Sequence, residues 1–350
     1  MTVDKGIFIK NVYYMLSYAF RILRQQDYEN IAAESFDNIN DMFAEIISRG
    51  TSRQLKQGLY KEYISRRDEL SVIRGKIDIS GTISKRTQKS NNVICDFDDF
   101  SENNIYNRIL KTTIFYLSRA DDVKNERRQN LKKLLVFFGN VDMIRPDSIE
   151  WSKLTYRRNN RNYELLMNMC FFVLSSLIQT TEKGEYRLAS FSEEHMERLF
   201  EKFILEYYKQ HHSELSPSNP EIKWNVPESA DKSLLPVMKT DIVLHKNGRT
   251  LIIDAKYYGK SLASNYDKST LRSAHLYQIF AYVKNYDREN TGNVSGLLIY
   301  AKTDDEIFPE GEPFMIGGNS IGAKTLDLNR DFADISNRLD MIAAEYFENM

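Results

Sequence analysis

Met238 to Lys260 reads MKTDIVLHKNGRTLIIDAKYYGK, and the turn at its centre orders the residues on both sides. Asn247-Gly248 is a favoured two-residue hairpin turn, since both central positions of a type I′ turn need positive φ. With that turn, Lys246 faces Arg249, Ile242 faces Ile253, and Asp241 faces Asp254. Directly opposed residues share a sheet face, so the two carboxylates stand roughly 5 Å apart at Cβ. Lys256, two residues beyond Asp254, returns to that face. Ile242, Leu244, Leu251, Ile253 and Ala255 fall on the other face, an apolar surface suited to packing on a helix.

Like charges directly opposite one another are destabilising. A hard divalent cation resolves the repulsion, because Mg2+ takes oxygen ligands and commonly binds one or two carboxylates plus substrate phosphate. Asp241 and Asp254 are therefore candidate metal ligands for Mg2+, with Mn2+ as a substitute, and Ala255 offers a backbone carbonyl beside them. Metal held there can polarise a scissile phosphate, acidify a bound water and stabilise charge building on phosphorus. Lys256 can orient that water, help to deprotonate it, or offset the developing charge; the residues alone do not choose. The competing reading is a salt bridge on a solvated edge strand. The apolar flanks favour central strands, which seldom carry charge without purpose.

Two helical patterns flank the hairpin. Glu197, Glu201 and Leu205 recur at near-helical spacing, and Glu201 or Glu206 could supply a third carboxylate; ordinary solvated glutamates are the alternative. In SAHLYQIFAYVKNY, Gln278 and Tyr282 are four apart and share a helix face. Both can donate to phosphate, or form a polar rim. His275 lies near that face and reads as a structural or surface residue.

The 350-residue chain is long enough for two domains. TTEKGEY breaks the pattern near Thr180 to Ser190, so the expected division is 1–185 and 186–350, with a helix starting at Ser192. A net charge of -1 means that any DNA grip comes from local basic patches or from a partner. Two cysteines make neither a disulfide framework nor a metal cluster and fit a reducing cytoplasm. The apolar stretch Val12–Phe20 is too short to span a bilayer, so no membrane role is expected. No glycine-rich phosphate loop is visible.

Upstream, Asn11 is placed to cap a helix using Met15, Leu16, Ala19, Phe20 and Leu23. Helical spacing recurs over Phe36–Ile47, Asn104–Leu117, Asn125–Phe138 and Tyr163–Ile178. Leu59 to Ile83 reads as short strands and turns punctuated by Gly75 and Gly81, followed by a polar loop at Ser84 to Asn92. The arginine- and asparagine-rich Tyr156–Tyr163 is either a solvated loop or a phosphate- or partner-contacting surface.

Asp241, the Asp254-Ala255-Lys256 triplet and the helix bearing Gln278 and Tyr282 resemble the PD-(D/E)xK nuclease signature. Thr240 stands where that signature usually has Pro, and the second acid is Asp rather than Glu. A wider resemblance joins IKNVYYMLSYAF, IRGKIDISGTI, DFDDFSENNIYNRILKTT, TDIVL, LIIDAKYYGK, LYQIFAYV and SGLLIYA. In that order they resemble the McrC family, the nuclease subunit of McrBC-type and LlaJI-like restriction systems.

The resemblance implies an α/β fold with a C-terminal restriction-endonuclease-like α/β/α core and an N-terminal mixed α/β partner-binding region. It implies a DNA endonuclease that docks on a GTP-hydrolysing, McrB-like AAA+ hexameric ring, stimulates it, and cuts double-stranded, typically methylated DNA. GTP would be bound by that partner. Asp241, Asp254 and Lys256 match the catalytic positions, and Gln278 and Tyr282 the supporting helix. Arg74, Gly75 and Lys76 fall in the family-like RGKID turn, assigned to partner contact, with a purely structural turn as the alternative. A stand-alone RecB-like repair nuclease and an inactive adaptor that only activates the ring are the rival functions.

Overall fold

The computed structural model describes residues 6–20, 36, 38–86, 92–160, 162–175, 177–179, 186–188, 193–227, 229, 231–257, 262–265, 268–302 and 311–348. The chain divides into two compact units, one of Met1–Met42 with Ser190–Met350 and one of Phe43–Ala189. Leu23, most of the Ser84–Asn92 loop, most of the 180–190 boundary, Ser192 and the tripeptide 258–260 lie outside the described residues.

The chain runs through α1 (Gly6–Phe20) and α2 (Ile39–Gln57) into the unit Phe43–Ala189. There β1 (Glu62–Leu70), β2 (Lys76–Ile77) and β3 (Val93–Ser101) form an antiparallel sheet in the order β1-β3-β2. Opposite charges face one another along it: Arg66 lies 3.4 Å from Asp99, and Arg67 pairs with Asp78. The expected strand-and-turn reading through Ile83 is corrected by α3 (Ile79–Arg86). Asp78 starts this helix by accepting the Gly81 N–H at 3.1 Å, a cap that competes successfully with continued pleating. Next come α4 (Ile105–Leu117), α5 (Asn125–Leu135) and α6 (Tyr163–Ser175), then the paired strands β4 (Leu177–Gln179) and β5 (Tyr186–Leu188). Asn104 caps α4 through the Asn107 N–H, and Ile109, Leu110, Ile114 and Leu117 are wholly buried along its inner face.

The other unit contains α7 (Glu193–His211), β6 (Glu221–Ile222), β7 (Met238–Lys239), β8 (Ile242–Lys246) and β9 (Arg249–Lys256). The ribbon β10 (Leu262–Asn265) and β11 (Lys268–Leu271) precedes α8 (Ser273–Tyr286), β12 (Val294–Lys302), β13 (Phe314–Ile316), β14 (Asn319–Asp327) and α9 (Phe332–Phe347). Its mixed sheet has the order β13-β14-β12-β9-β8, with β9, β12 and β14 parallel and β8 and β13 antiparallel to their neighbours. Ile279 and Val283 of α8 pack on Ile252, Leu298 and Ile321 on one face. Leu251, Ile253, Leu297 and Ile299 of the other face are equally buried, on the side where α7 packs against β9. Gly296 lets α8 come close: a Cβ there would lie 2.8 Å from Ile279 and 2.9 Å from Val283.

Two expectations change here. Asn11 does not cap a helix; it lies inside α1 and donates to the Leu328 and Arg330 carbonyls at 2.8 and 2.7 Å. Those bonds, and the packing of α1 on α7, lie within the unit of Met1–Met42 with Ser190–Met350. Second, β8 is an edge strand of the sheet, not a central one. Its outer rim is nonetheless covered, because Ser218 and Val243 exchange backbone hydrogen bonds at 2.7 and 3.0 Å and β6 pairs with β7. Covering the rim by such pairing keeps Val243 and Leu244 buried at a position where an open edge would be solvated.

Candidate active site

The hairpin turns at Asn247 and Gly248, with φ of 52° and 77°, and the register runs from Lys246↔Arg249 to Ile242↔Ile253. One step further it sets Asp241 against Asp254. Asp241 has left the strand, and its side chain replaces the missing ladder partner: Oδ2 accepts the Ala255 N–H at 2.9 Å. Thr240 anchors this departure by donating its hydroxyl to the Pro220 carbonyl at 2.7 Å. A threonine hydroxyl thus does work that a proline at that position could not.

Asp254 is 1% exposed, and neither carboxylate oxygen meets a hydrogen bond of acceptable angle. Lys256 Nζ lies 2.9 Å from Asp254 Oδ2, so the buried acid is countered by charge rather than by aligned donors. Burial first, then the charges of Asp254 and Glu201, push the Asp241 carboxyl up to about 8. Burial raises Asp254 as well, against the pull of Lys256. Glu201 on α7 is pushed up to about 7 by burial and by Glu197, with a smaller contribution from Asp254. For Lys256 burial works downward, but Asp254, Asp241 and Glu197 outweigh it and hold the amine above its ordinary value. The site is a tight knot of acids around one retained ammonium.

On α8, Gln278 donates to the Tyr282 hydroxyl at 2.9 Å, and Tyr282 donates to the Lys239 carbonyl at 3.0 Å. The pair therefore ties the helix to β7, just ahead of Asp241, and Tyr282 is 7% exposed rather than part of a solvated rim. His275 is buried too, with Nδ1 2.9 Å from the Tyr300 hydroxyl. Tyr300 carries no sequence signal of its own, because a tyrosine in an apolar strand looks unremarkable without its partners, and Thr240 is marked only by standing where the signature has Pro.

Gly75 precedes β2 with φ of 70°, and a Cβ there would come within 2.8 Å of Phe97 Cβ, so the turn needs glycine twice over. Arg74 and Lys76 flank it on an exposed surface. Arg74 folds back along the sheet, 3.0 Å from Asp99 and 4.3 Å above the Phe97 ring centre.

The donor set suits a hard cation at Asp241 and Asp254. Asp254 has two buried oxygens without hydrogen bonds, and the acids are raised by burial first and by one another's charge second, both of which a divalent ion offsets. Among the described residues no three His, Cys, Asp or Glu side chains gather as a metal group, and Glu201 acts on the aspartates through its charge, which helps to raise Asp241. Both cysteines are free and buried, and among the described residues no helix is long and apolar enough to cross a membrane.

A family model described as McrBC 5-methylcytosine restriction system component matches residues 7–301. The chain is 27% identical over 344 residues to the "Type IV methyl-directed restriction enzyme EcoKMcrBC" of Escherichia coli K12, covering 97% of this chain and 98% of that one. Its fold resembles a chain of the assembly of Thermococcus gammatolerans McrB AAA+ hexamers with bound McrC. That likeness has a TM-score of 0.50 at 17% identity, over 96% of this chain and 75% of that chain.

Proposed function

Since the chain belongs to the family of McrBC 5-methylcytosine restriction system components, we propose that it is the DNA-cleaving subunit of a GTP-dependent restriction complex. In this reading the unit holding the β8–β9 hairpin is a restriction-endonuclease-like core of the PD-(D/E)xK type. The observation that carries it is the meeting of Asp241, Asp254 and Lys256 at the end of that hairpin, with both Asp254 oxygens buried and unsatisfied.

Asp241 and Asp254 would hold Mg2+, with Ala255 contributing its carbonyl and Glu201 completing the set as the site closes on substrate. The cation would supply Lewis acidity at the scissile phosphate. Asp241 is oriented for this by the Ala255 N–H, which pins one oxygen and leaves the other toward Asp254. Lys256 is retained as an ammonium and meets negative charge developing on the phosphoryl oxygens. Tyr282 and Gln278 fix α8 against β7 and thereby hold the wall of the site.

The unit Phe43–Ala189 would dock on a McrB-like AAA+ ring through the turn at Arg74, Gly75 and Lys76 and stimulate GTP hydrolysis by that ring. Affinity for methylated double-stranded DNA would come mainly from the partner, which accounts for a nuclease whose net charge is -1. The test is reconstitution with the cognate ring on methylated DNA. Cleavage is expected only with chain, ring, GTP and Mg2+ together. GTP-independent cutting by the isolated chain would point instead to a RecB-like nuclease, and GTPase stimulation without cleavage to an adaptor.

A further inference from the structure

Tyr300 is the ladder partner of Lys256, on the neighbouring parallel strand and the same sheet face. The two side chains therefore rise side by side, on strands roughly 4.8 Å apart. Tyr300 is fully buried, and its hydroxyl lies 2.9 Å from His275 Nδ1, one turn ahead of Gln278 on α8. Burial first, then the charges of Lys256 and Arg272, lower His275 to about 4, which favours the neutral imidazole at neutral pH.

A tyrosine and a histidine in an α8–sheet core that otherwise holds Ile279, Val283 and Leu298 need a reason. Replacing both members of a buried hydrogen-bonded pair by apolar groups of the same shape is often close to neutral for stability. Next to Lys256 the pair has a different consequence. It gives the lysine a rigid neighbour on the β12 side, while Asp254 and Asp241, which attract its charge, belong to the hairpin.

We infer that His275 and Tyr300 are positioning residues for Lys256, a neutral buried brace that directs the ammonium toward Asp254 and the phosphate to be cleaved. This rests on the nuclease reading for its purpose, though not for its geometry. Tyr300→Phe removes only the hydroxyl, and His275→Gln keeps neutral hydrogen-bonding capacity that His275→Leu lacks.

Two measurements test it. In the metal-free chain labelled with 13C at lysine Cε, the Lys256 resonance is assigned by its loss in Lys256→Arg. Tyr300→Phe is expected to shift or broaden that resonance at temperatures where the variant is fully folded, its melting temperature falling because His275 loses its hydroxyl partner. In the complex with ring, GTP and Mg2+, the same variant should lower kcat roughly tenfold to a hundredfold, with KM and the Mg2+ half-saturation unchanged. His275→Gln should recover most of the kcat lost in His275→Leu. An unmoved Lys256 resonance overturns the inference even in a preparation that does not cut, whereas absence of cleavage by the wild-type complex overturns only the nuclease reading. A wild-type kcat in Tyr300→Phe, or equal losses in the two His275 variants, likewise overturns it.

Discussion

The carboxylate of Asp241 accepts the backbone N–H of Ala255, the residue that sits between Asp254 and Lys256. One acid of the site is thus pinned to the strand that carries the other two charged groups. The spacing of the two aspartates is set by the hairpin backbone and not by a flexible side chain.

That pin makes Asp241→Asn an informative variant, because an amide oxygen can still accept the Ala255 N–H. Asp241 is raised to about 8 in the folded, metal-free chain, while an unfolded aspartate titrates near ~3.9. Between those values the folded state holds a proton that the unfolded state has lost. Metal-free stability therefore falls as pH rises through this window, and the loss is complete above about 8. Asp241→Asn removes this penalty. Its melting temperature in EDTA should match wild type at about pH 4 and exceed it increasingly up to pH 8, while cleavage disappears. A variant less stable than wild type at pH 8 would count against the arrangement.

Metal binding should show the reverse dependence. A divalent ion needs Asp241 and Asp254 ionised, and Glu201 where it joins, and these acids hold protons well above the usual carboxylate range. The rise in melting temperature on adding Mg2+ should be small at pH 5.5 and grow through pH 8.5. A stabilisation independent of pH would mean that the ion binds elsewhere.

Much of this site was legible in the sequence for one physical reason: a two-residue Asn-Gly turn fixes register, and register fixes which residues share a face. Helical spacing likewise marked α4, and its Asn104 cap emerged only in the structure. What was not legible depended on partners distant in sequence. Asn11 binds carbonyls more than 300 positions away, and Ser218 covers an edge that the local pattern made look central. β14 follows a Gly317-Gly318 turn that pairs it with β13, but nothing local marks it as the parallel neighbour on which β12 rests. Tyr300 acquires meaning only beside Lys256.

Gly296 offers a test of how closely α8 must approach the sheet. An added methyl would meet Ile279 Cγ1 at 2.8 Å and Val283 Cγ2 at 2.9 Å. Overpacking of this kind typically costs about 1–3 kcal/mol. Gly296→Ala should lower stability by that order in urea unfolding. It should also depress cleavage at temperatures where the variant is fully folded, since Gln278 and Tyr282 ride on the displaced helix. Full activity together with the stability loss would separate α8 placement from catalysis.

Asp254→Ala separates the two units functionally. It removes a proposed ligand in one unit and alters no residue of Phe43–Ala189. Cleavage should be abolished, with ring assembly and GTP turnover within about twofold of wild type, because surface docking and its energetics are left in place. Retained cleavage at matched protein and Mg2+ concentrations would falsify the assignment of this acid.

The complementary variant is Arg74→Ala with Lys76→Ala. Both cations flank Gly75, whose left-handed φ and tight approach to Phe97 fix the turn that presents them. Arg74 also pairs with Asp99 at 3.0 Å, but it is more than half exposed, and such surface pairs contribute roughly 0–1 kcal/mol. Their loss should therefore leave the fold and the Asp241–Asp254 site intact. If the turn docks on the ring, GTP turnover measured across a titration of the double variant should reach a lower plateau or require more protein, and complex size by light scattering should fall in step. Lys76→Ala alone separates the contributions, since Arg74 then keeps its place over Phe97. Turnover and assembly curves that superimpose on wild type would leave the nuclease site untouched and remove this turn from the docking surface.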